Sequence, residues 1–291
     1  MYMLLRFLQL ILKNIPRKAG YFIFESFFKL AWLIPSGRRK QLIKNLSIIP
    51  SVKNPLITSL EVYKNYARYY FDLYYDKDKI LPSVMETQAF TASYEKSKQL
   101  LESRKGLIII SMHMGNWDFA GSFLSRMFPG RTNVVVEKLS PAAYRWFTET
   151  RTRWGMKVIE SRDVKSMMRA LKNGEVLVLV ADRDLEKTGY KLTFFGKKAY
   201  IPSGPAKLAL AHKVPIMLGV MVRDKKNPMI FIPVLHSDAI NEQPMEKNEE
   251  NSEKLSEQLV SLMERTLFEY PEQCVCFKKY GWRISKHTLI Q

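Results

Sequence analysis

Leu107-Ile108-Ile109-Ile110-Ser111-Met112-His113-Met114-Gly115-Asn116-Trp117-Asp118 decides how the chain is read. The leading apolar run has the length of a short strand buried on both faces. A titratable base and a carboxylate follow at once, at the strand end where α/β proteins keep their chemistry. His113 and Asp118 stand five positions apart, about 500° around a continuous helix and roughly 140° off a common face. They meet only if His113 lies in the turn and Asp118 in the first turn of a helix capped near Asn116. That arrangement predicts an imidazole with Nδ1 held by the acid and Nε2 free to take a proton. The plainer alternative is a structural histidine at a strand end.

Downstream, apolar segments alternate with helix-length ones. Strands are expected at Leu107 to Ser111, Thr132 to Val136, Lys157 to Ile159, Glu175 to Ala181, Pro215 to Val222 and Met229 to Pro233. Helices are expected at about 116–128, 141–154, 163–173 and 203–213, with a long charged one at 243–270 that starts nearer Asn251. The alternation predicts an α/β fold with a mixed, mostly parallel central sheet flanked by helices. Upstream, residues 55–76 read as a helix with Tyr63, Tyr66, Tyr70 and Tyr74 on one face, a stripe that reads as core. Pro82 breaks the chain, and a further helix at about 90–104 ends at Lys105-Gly106.

The chain has 291 residues, enough for a full core, and its 46% apolar fraction excludes a disordered protein. Lys and Arg number 46 against 28 Asp and Glu, a net charge of +18 that points to anionic partners: membrane lipid, phosphorylated substrate, acidic carrier protein or nucleic acid. Cys274 and Cys276 lack a second ligand pair for zinc and read as reduced thiols. With four histidines, His113, His212, His236 and His287, metal-free chemistry is the expectation.

Residues 1–50 hold nine Lys or Arg and one acid, Glu25, so they carry about +8 of the total. The same stretch holds the apolar clusters Met1 to Leu12 and Tyr21 to Ile34. Neither reaches the ~20 apolar residues that span a bilayer. Tyr21 to Ile34 includes Glu25 and Lys29, which suits an amphipathic helix lying in the membrane interface with its cations toward headgroups. No small-residue cleavage site follows the first cluster, so no removed signal peptide is expected. Residues 1–50 are thus read as a membrane-associating basic, apolar segment and 51–291 as the α/β domain; a single N-terminal anchor and ordinary helices packed on the core are the alternatives.

Four features at strand ends are expected to converge on one rim of the sheet. His113 with Asp118 is the first. Glu137-Lys138 follows the second strand, ahead of Arg145, Arg151 and Arg153 on a helix that closes at Gly155. Asp182-Arg183-Asp184 comes directly after Val176 to Ala181. Last is Ile201-Pro202-Ser203-Gly204-Pro205, a helix start whose free N–H groups around Gly204 suit an anion. A base, an orienting acid and several cations fit attack by a hydroxyl on an acyl carbonyl. No Ser or Cys sits in a Gly-x-Ser-x-Gly setting, which favours direct transfer without an acyl-enzyme. Leu192-Thr193-Phe194-Phe195-Gly196 reads equally as the lining of an acyl groove or as a short buried hairpin.

His113-Met114-Gly115-Asn116-Trp117-Asp118, Ala181-Asp182-Arg183-Asp184-Leu185, Phe194-Phe195-Gly196, Ile201-Pro202-Ser203-Gly204-Pro205-Ala206-Lys207-Leu208-Ala209 and Pro271-Glu272-Gln273, taken in order, resemble the bacterial lipid A biosynthesis acyltransferase family. That family includes lauroyl and myristoyl transferases of lipid A and phosphatidylinositol mannoside acyltransferases. The ordered match runs over roughly residues 36 to 283. The resemblance implies a glycerolipid-acyltransferase-like fold at the cytoplasmic face of the bacterial inner membrane. It implies transfer of a fatty acyl chain from an acyl carrier protein or coenzyme A thioester to a glycolipid hydroxyl, with that thioester as co-substrate and no other cofactor. By motif position His113 is then the base and Asp118 its partner. Arg151 contacts the acceptor or the developing charge, and Glu137 with Asp182 or Asp184 lines the same site. Asp118 stands where the lipid A enzymes commonly carry Glu, which brings the motif closer to the mannoside enzymes. Cys274-Val275-Cys276 stands where a Trp-containing stretch is common.

On this reading the base must be neutral, so activity falls on the acid side of the ordinary histidine range. Loss of either His113 or Asp118 is expected to cost on the order of a hundredfold or more in rate and to leave the fold intact. Two rivals predict otherwise. A metal-dependent phosphatase or esterase would use His113 with Asp182 and Asp184 and be sensitive to chelators. A basic, non-catalytic nucleic-acid or membrane module would bind with steep salt dependence and be indifferent to His113.

Overall fold

The computed structural model describes residues 1–104, 106–137, 139–184 and 188–277. Lys105, Lys138, Leu185 and His287, named above, lie outside the described residues. Five helices and a 3₁₀ turn come first: α1 (Tyr2–Leu12), α2 (Arg17–Leu33), α3 (Gly37–Leu46), α4 (Pro55–Tyr74) and the single turn α5 (Lys77–Ile80) that runs into Leu81–Ser83. The α/β part follows as α6 (Gln88–Arg104), β1 (Leu107–Ser111), α7 (Trp117–Met127), β2 (Thr132–Val136), α8 (Pro141–Arg153), β3 (Lys157–Glu160), α9 (Val164–Lys172) and β4 (Val176–Val180). It ends with the pair β5 (Tyr190–Phe194) and β6 (Lys197–Ile201), then α10 (Gly204–His212), β7 (Ile216–Arg223), β8 (Phe231–Leu235) and α11 (Glu249–Glu269).

The sheet has six strands in the order β3-β2-β4-β1-β7-β8. The first five run parallel and β8 closes the edge antiparallel to β7, with Met221 opposite Pro233. Proline lacks a donor, so an edge strand is where it fits. β8 begins two residues later than expected because Asp224 and Asn227 build a turn: Asp224 Oδ1 accepts from the N–H groups of Lys226 and Asn227, and the Ile230 N–H bonds the Asn227 carbonyl.

β1 lies in the middle of the sheet and is buried along its whole length. Its side chains alternate between two cores. Ile108 and Ile110 face Leu177, Leu218, Leu210 and Met263, while Leu107 and Ile109 face Phe90, Phe119, Val134, Val178 and Met221. Burying each such aliphatic side chain contributes about 1.5–3 kcal/mol, which explains why a polar loop can be carried rigidly at this strand's carboxyl end. β5 and β6 form a separate antiparallel hairpin. Its turn at Phe195-Gly196 has φ of 44° and 71°, the left-handed pair that a two-residue hairpin needs. Leu192, Phe194, Ala199 and Ile201 are buried in the first core, so the stretch is a hairpin and not the wall of an acyl groove.

α2 packs along α4, and its two faces differ sharply. Arg17 and Tyr21 point inward and are buried, whereas Phe22, Ile23, Phe27, Leu30, Leu33 and Ile34 are exposed, as are Met3, Leu4, Phe7, Leu10 and Ile11 of α1. No helix among the described residues is long and apolar enough to cross a membrane. The inward face ends on Asp72 of α4, which is fully buried between Arg17 and Arg223, at 3.4 and 2.6 Å. Tyr21 donates to the same carboxylate at 3.0 Å, and so does the Asn116 amide at 3.1 Å. This knot, which sequence reasoning missed, joins the amino-terminal helices to the end of β7 and to the start of α7.

Candidate active site

The loop after β1 is held by backbone before any side chain acts. Gly115 has φ of 58°, and a Cβ there would stand 2.0 Å from the Met221 carbonyl oxygen, so only glycine fits. The next N–H, from Asn116, bonds that same carbonyl at 2.9 Å. The Asn116 side chain then caps α7 by accepting from the Phe119 N–H at 3.0 Å. On the other side the Val275 N–H bonds the His113 carbonyl at 2.8 Å, so the segment after α11 clamps the turn.

His113 lies in the turn after β1, as the sequence suggests, but the acid that holds its ring is a different one. Asp182, just past β4, accepts from His113 Nδ1 at 2.6 Å and from the His113 backbone N–H at 3.2 Å. β4 is the parallel neighbour of β1, with Val180 opposite Ser111, so the two strands deliver base and acid side by side. Burial would push the Asp182 carboxyl up; the charge and hydrogen bonds of His113, helped by Arg183, outweigh it and hold the pKa below the usual carboxylate value. An ionised Asp182 fixes the ring and its tautomer, which leaves Nε2 as the nitrogen for a substrate proton.

Asp118 does not take that role, which corrects the expected His113–Asp118 pairing. It stands in the first turn of α7 as expected, yet its Oδ1 accepts from Arg151 Nε at 2.6 Å and its Oδ2 from the Tyr69 hydroxyl at 2.6 Å. Both oxygens are therefore directed to α8 and α4. Burial, then the Asp118 charge, push the Tyr69 hydroxyl well above its ordinary range. Burial works against the charged Arg151, and the attraction of Asp118 more than offsets it, so the guanidinium pKa is raised. Trp117 stacks on Tyr69 at 3.8 Å between ring centres and meets the His113 ring edge-on at 5.2 Å.

A cavity of about 840 Å³ opens beside His113. That lies within the ~300–1,000 Å³ usual for small-molecule sites. Its inner part runs between the sheet and helices α6 and α7, walled by Ile109, Phe90, Phe123, Val134, Gly219 and Leu235. Its outer part is bordered by His113, Asp118, Glu137, Arg151 and Arg183, with Tyr63, Tyr66, Tyr69 and Tyr70 of α4. The tyrosine stripe is thus a cavity wall as well as packing, which the core reading of it missed; only Tyr74 turns away, against Trp146.

Three of the four strand-end features converge as expected. Asp182 sits behind His113 and does not border the cavity, which suits an orienting group. Asp184 is buried next to Gly189, and Gly204 is exposed at the start of α10; neither belongs to the wall, so the fourth feature stands apart. Arg145 forms an exposed pair with Glu149, and Arg153 is exposed at the end of α8. Among the described residues no three side chains of His, Cys, Asp or Glu are grouped to hold a metal ion. Cys274 is buried, and its Cys276 neighbour and burial together push its thiol pKa well up, which makes it a poor nucleophile. Sequence reasoning missed Tyr69, whose signal was its place one residue before Tyr70 in the stripe, and Arg38, present only as one of many amino-terminal cations.

Residues 1–280 match the model of the family described as bacterial lipid A biosynthesis acyltransferase. The chain is also 32% identical over 184 residues to a phosphatidylinositol mannoside acyltransferase of Mycobacterium tuberculosis, covering 60% of this chain and 57% of that protein. A phosphatidylinositol mannoside acyltransferase of Mycolicibacterium smegmatis is 34% identical over 116 residues, 38% of each chain. These matches span little more than half the length of those relatives at most. With the family model covering nearly the whole sequence, and an α/β core that carries its His-x-x-x-x-Asp loop at the end of the central strand, the chain belongs to the bacterial lipid A biosynthesis acyltransferase family.

Proposed function

We propose that this protein is an O-acyltransferase that moves a fatty acyl chain from a carrier-protein or coenzyme A thioester to a hydroxyl of a membrane glycolipid. The observation that carries this reading is the His113–Asp182 pair at the mouth of an apolar cavity of about 840 Å³. A base at the head of an apolar slot suits a reaction between a hydroxyl and the carbonyl of a long acyl chain. His113 Nε2 takes the proton of the acceptor hydroxyl, and its oxygen attacks the thioester carbonyl. The C–S bond then breaks, and the imidazolium returns its proton to the departing thiolate. Arg151, held at the cavity wall by Asp118, supplies positive charge for the oxyanion. The acyl chain lies in the inner cavity, and no cofactor beyond the thioester takes part.

The exposed apolar faces of α1 and α2, on a segment rich in Lys and Arg, support a peripheral position on the anionic cytoplasmic face of the bacterial inner membrane. The family description points to a lipid A precursor as acceptor, and the names of the mycobacterial relatives to a phosphatidylinositol mannoside. Purified protein assayed with acyl-coenzyme A and acyl-carrier-protein donors on both acceptors separates these. Wild type is expected to form an acylated glycolipid and free thiol in equal amounts. His113→Ala should lower the rate by on the order of a hundredfold or more. Full transfer by His113→Ala would overturn the mechanism.

A further inference from the structure

Four of the buried and half-buried arginines among the described residues are held by acids. Arg17 and Arg223 hold Asp72, Arg68 holds Glu25, and Arg151 holds Asp118. Two arginines on the cavity rim differ. Arg38, in the first turn of α3, is exposed, and Arg183 is half-buried beside the catalytic pair. Among the described residues neither forms an ion pair; Arg183 makes only a long 3.4 Å hydrogen bond to the Val275 carbonyl. Both border the same cavity as His113. Both also act on one hydroxyl: burial and the Tyr70 partner raise the Tyr66 pKa, and the charges of Arg183 and Arg38 pull against that rise. Two guanidinium groups outside any ion pair among the described residues therefore border one cavity, which the Glu137 carboxylate borders too.

The opening itself says what kind of molecule passes. Phe27, Phe28 and Ala31 of α2 border it, and Phe27 is 74% exposed on the apolar outer face of that helix. The cavity border thus joins an apolar surface, a pair of cations and His113. Arginine binds phosphate through parallel N–H donors, and charge-assisted bonds of this kind are about twice as strong as neutral ones.

We propose that Arg38 and Arg183 form a phosphate-binding collar that holds a phosphate ester of one substrate at the rim while its reacting group reaches His113. This rests on the acyl-transfer reading. The phosphate has two sources, the headgroup of a phospholipid-linked acceptor or the phosphopantetheine arm of the donor. Binding by calorimetry to the full chain separates them, with glycerophosphoinositol as the headgroup probe and desulfo-coenzyme A as the donor probe. Arg38→Ala, a change at an exposed side chain, should weaken one probe about tenfold, and Arg38→Lys should recover part of the loss. Weakening of glycerophosphoinositol assigns the collar to the acceptor; weakening of desulfo-coenzyme A assigns it to the donor. Failure of both probes to bind wild type, or affinities within twofold between wild type and Arg38→Ala for both, overturns the collar. Parallel turnover assays distinguish this from failure of the reading itself: a phosphate-bearing substrate should show a raised KM in Arg38→Ala with kcat little altered, whereas no transfer by wild type would sink the reading and leave the binding result to stand alone.

Discussion

Asp182 and Asp118 are both buried acids within reach of one loop, and they do different work. Asp182 follows β4, touches His113 twice and stays behind the cavity wall. Asp118 lies five residues from His113 in the chain, borders the cavity, and spends both oxygens on Tyr69 and Arg151. The contrast teaches that closeness along the chain does not decide which acid orients a base. The parallel pairing of β1 with β4 does, because it sets their two carboxyl ends side by side.

The largest expected effect separates the two acids by rate. Asp182→Asn should lower kcat by about 10²- to 10⁴-fold, since the amide no longer stabilises an imidazolium. Rapid-quench turnover measurements check this, and a variant within tenfold of wild type breaks the assignment. Asp118→Asn should act first on stability, because it strands the Arg151 charge in a site where that side chain is only 14% exposed, with a smaller loss of kcat through the displaced Arg151. A loss on the order of 3 kcal/mol is expected from urea unfolding. Equal losses of kcat in the two variants, without a difference in stability, would erase the distinction.

The pH dependence sharpens the same contrast. Asp182 has a folded pKa below the value of about 3.9 for an unfolded carboxyl. Its contribution to stability is therefore complete above about pH 4 and is lost as pH falls through the lower folded value. The gap in unfolding free energy between wild type and Asp182→Asn should persist down to about pH 4 and close below it. A gap that vanishes above pH 5 would remove the ionised pair.

The smallest effect concerns the cavity that both acids serve. Gly219 lies on β7 in the inner wall, where an added Cβ would meet Leu235 Cδ1 at 3.2 Å and Ile109 Cγ2 at 3.5 Å. Gly219→Leu should shift donor preference toward shorter acyl chains by several-fold, since each methylene in an apolar pocket is worth about 1–3 kcal/mol. Competition between donors of different length reads this out, and an unchanged preference would put the chain elsewhere.

Much of the frame is legible in the chain. Runs such as Leu107 to Ile110 and Val176 to Val180 are apolar throughout because both faces of a central parallel strand are covered. Asn116 marks the helix start because its side chain satisfies an orphan N–H. Other parts were not legible. Leu192 to Phe194 has the same apolar pattern whether it lines a groove or packs on α11, so pattern alone could not choose. The Tyr63 to Tyr74 stripe has the same spacing whether a helix faces a core or a cavity. Arg17, Asp72 and Arg223 are 55 and 151 residues apart in the chain, and no local pattern links them.

By itself the sequence determined the alternation of strands and helices, the loop that presents His113, and the basic, apolar amino terminus, because these follow from short-range periodicity, capping and charge. Tertiary structure alone decided that Asp182 holds His113 while Asp118 anchors Arg151, and that the tyrosines of α4 border a cavity. Those outcomes depend on which strands neighbour each other and on where packing leaves a gap, properties of long-range contacts that no window of sequence contains.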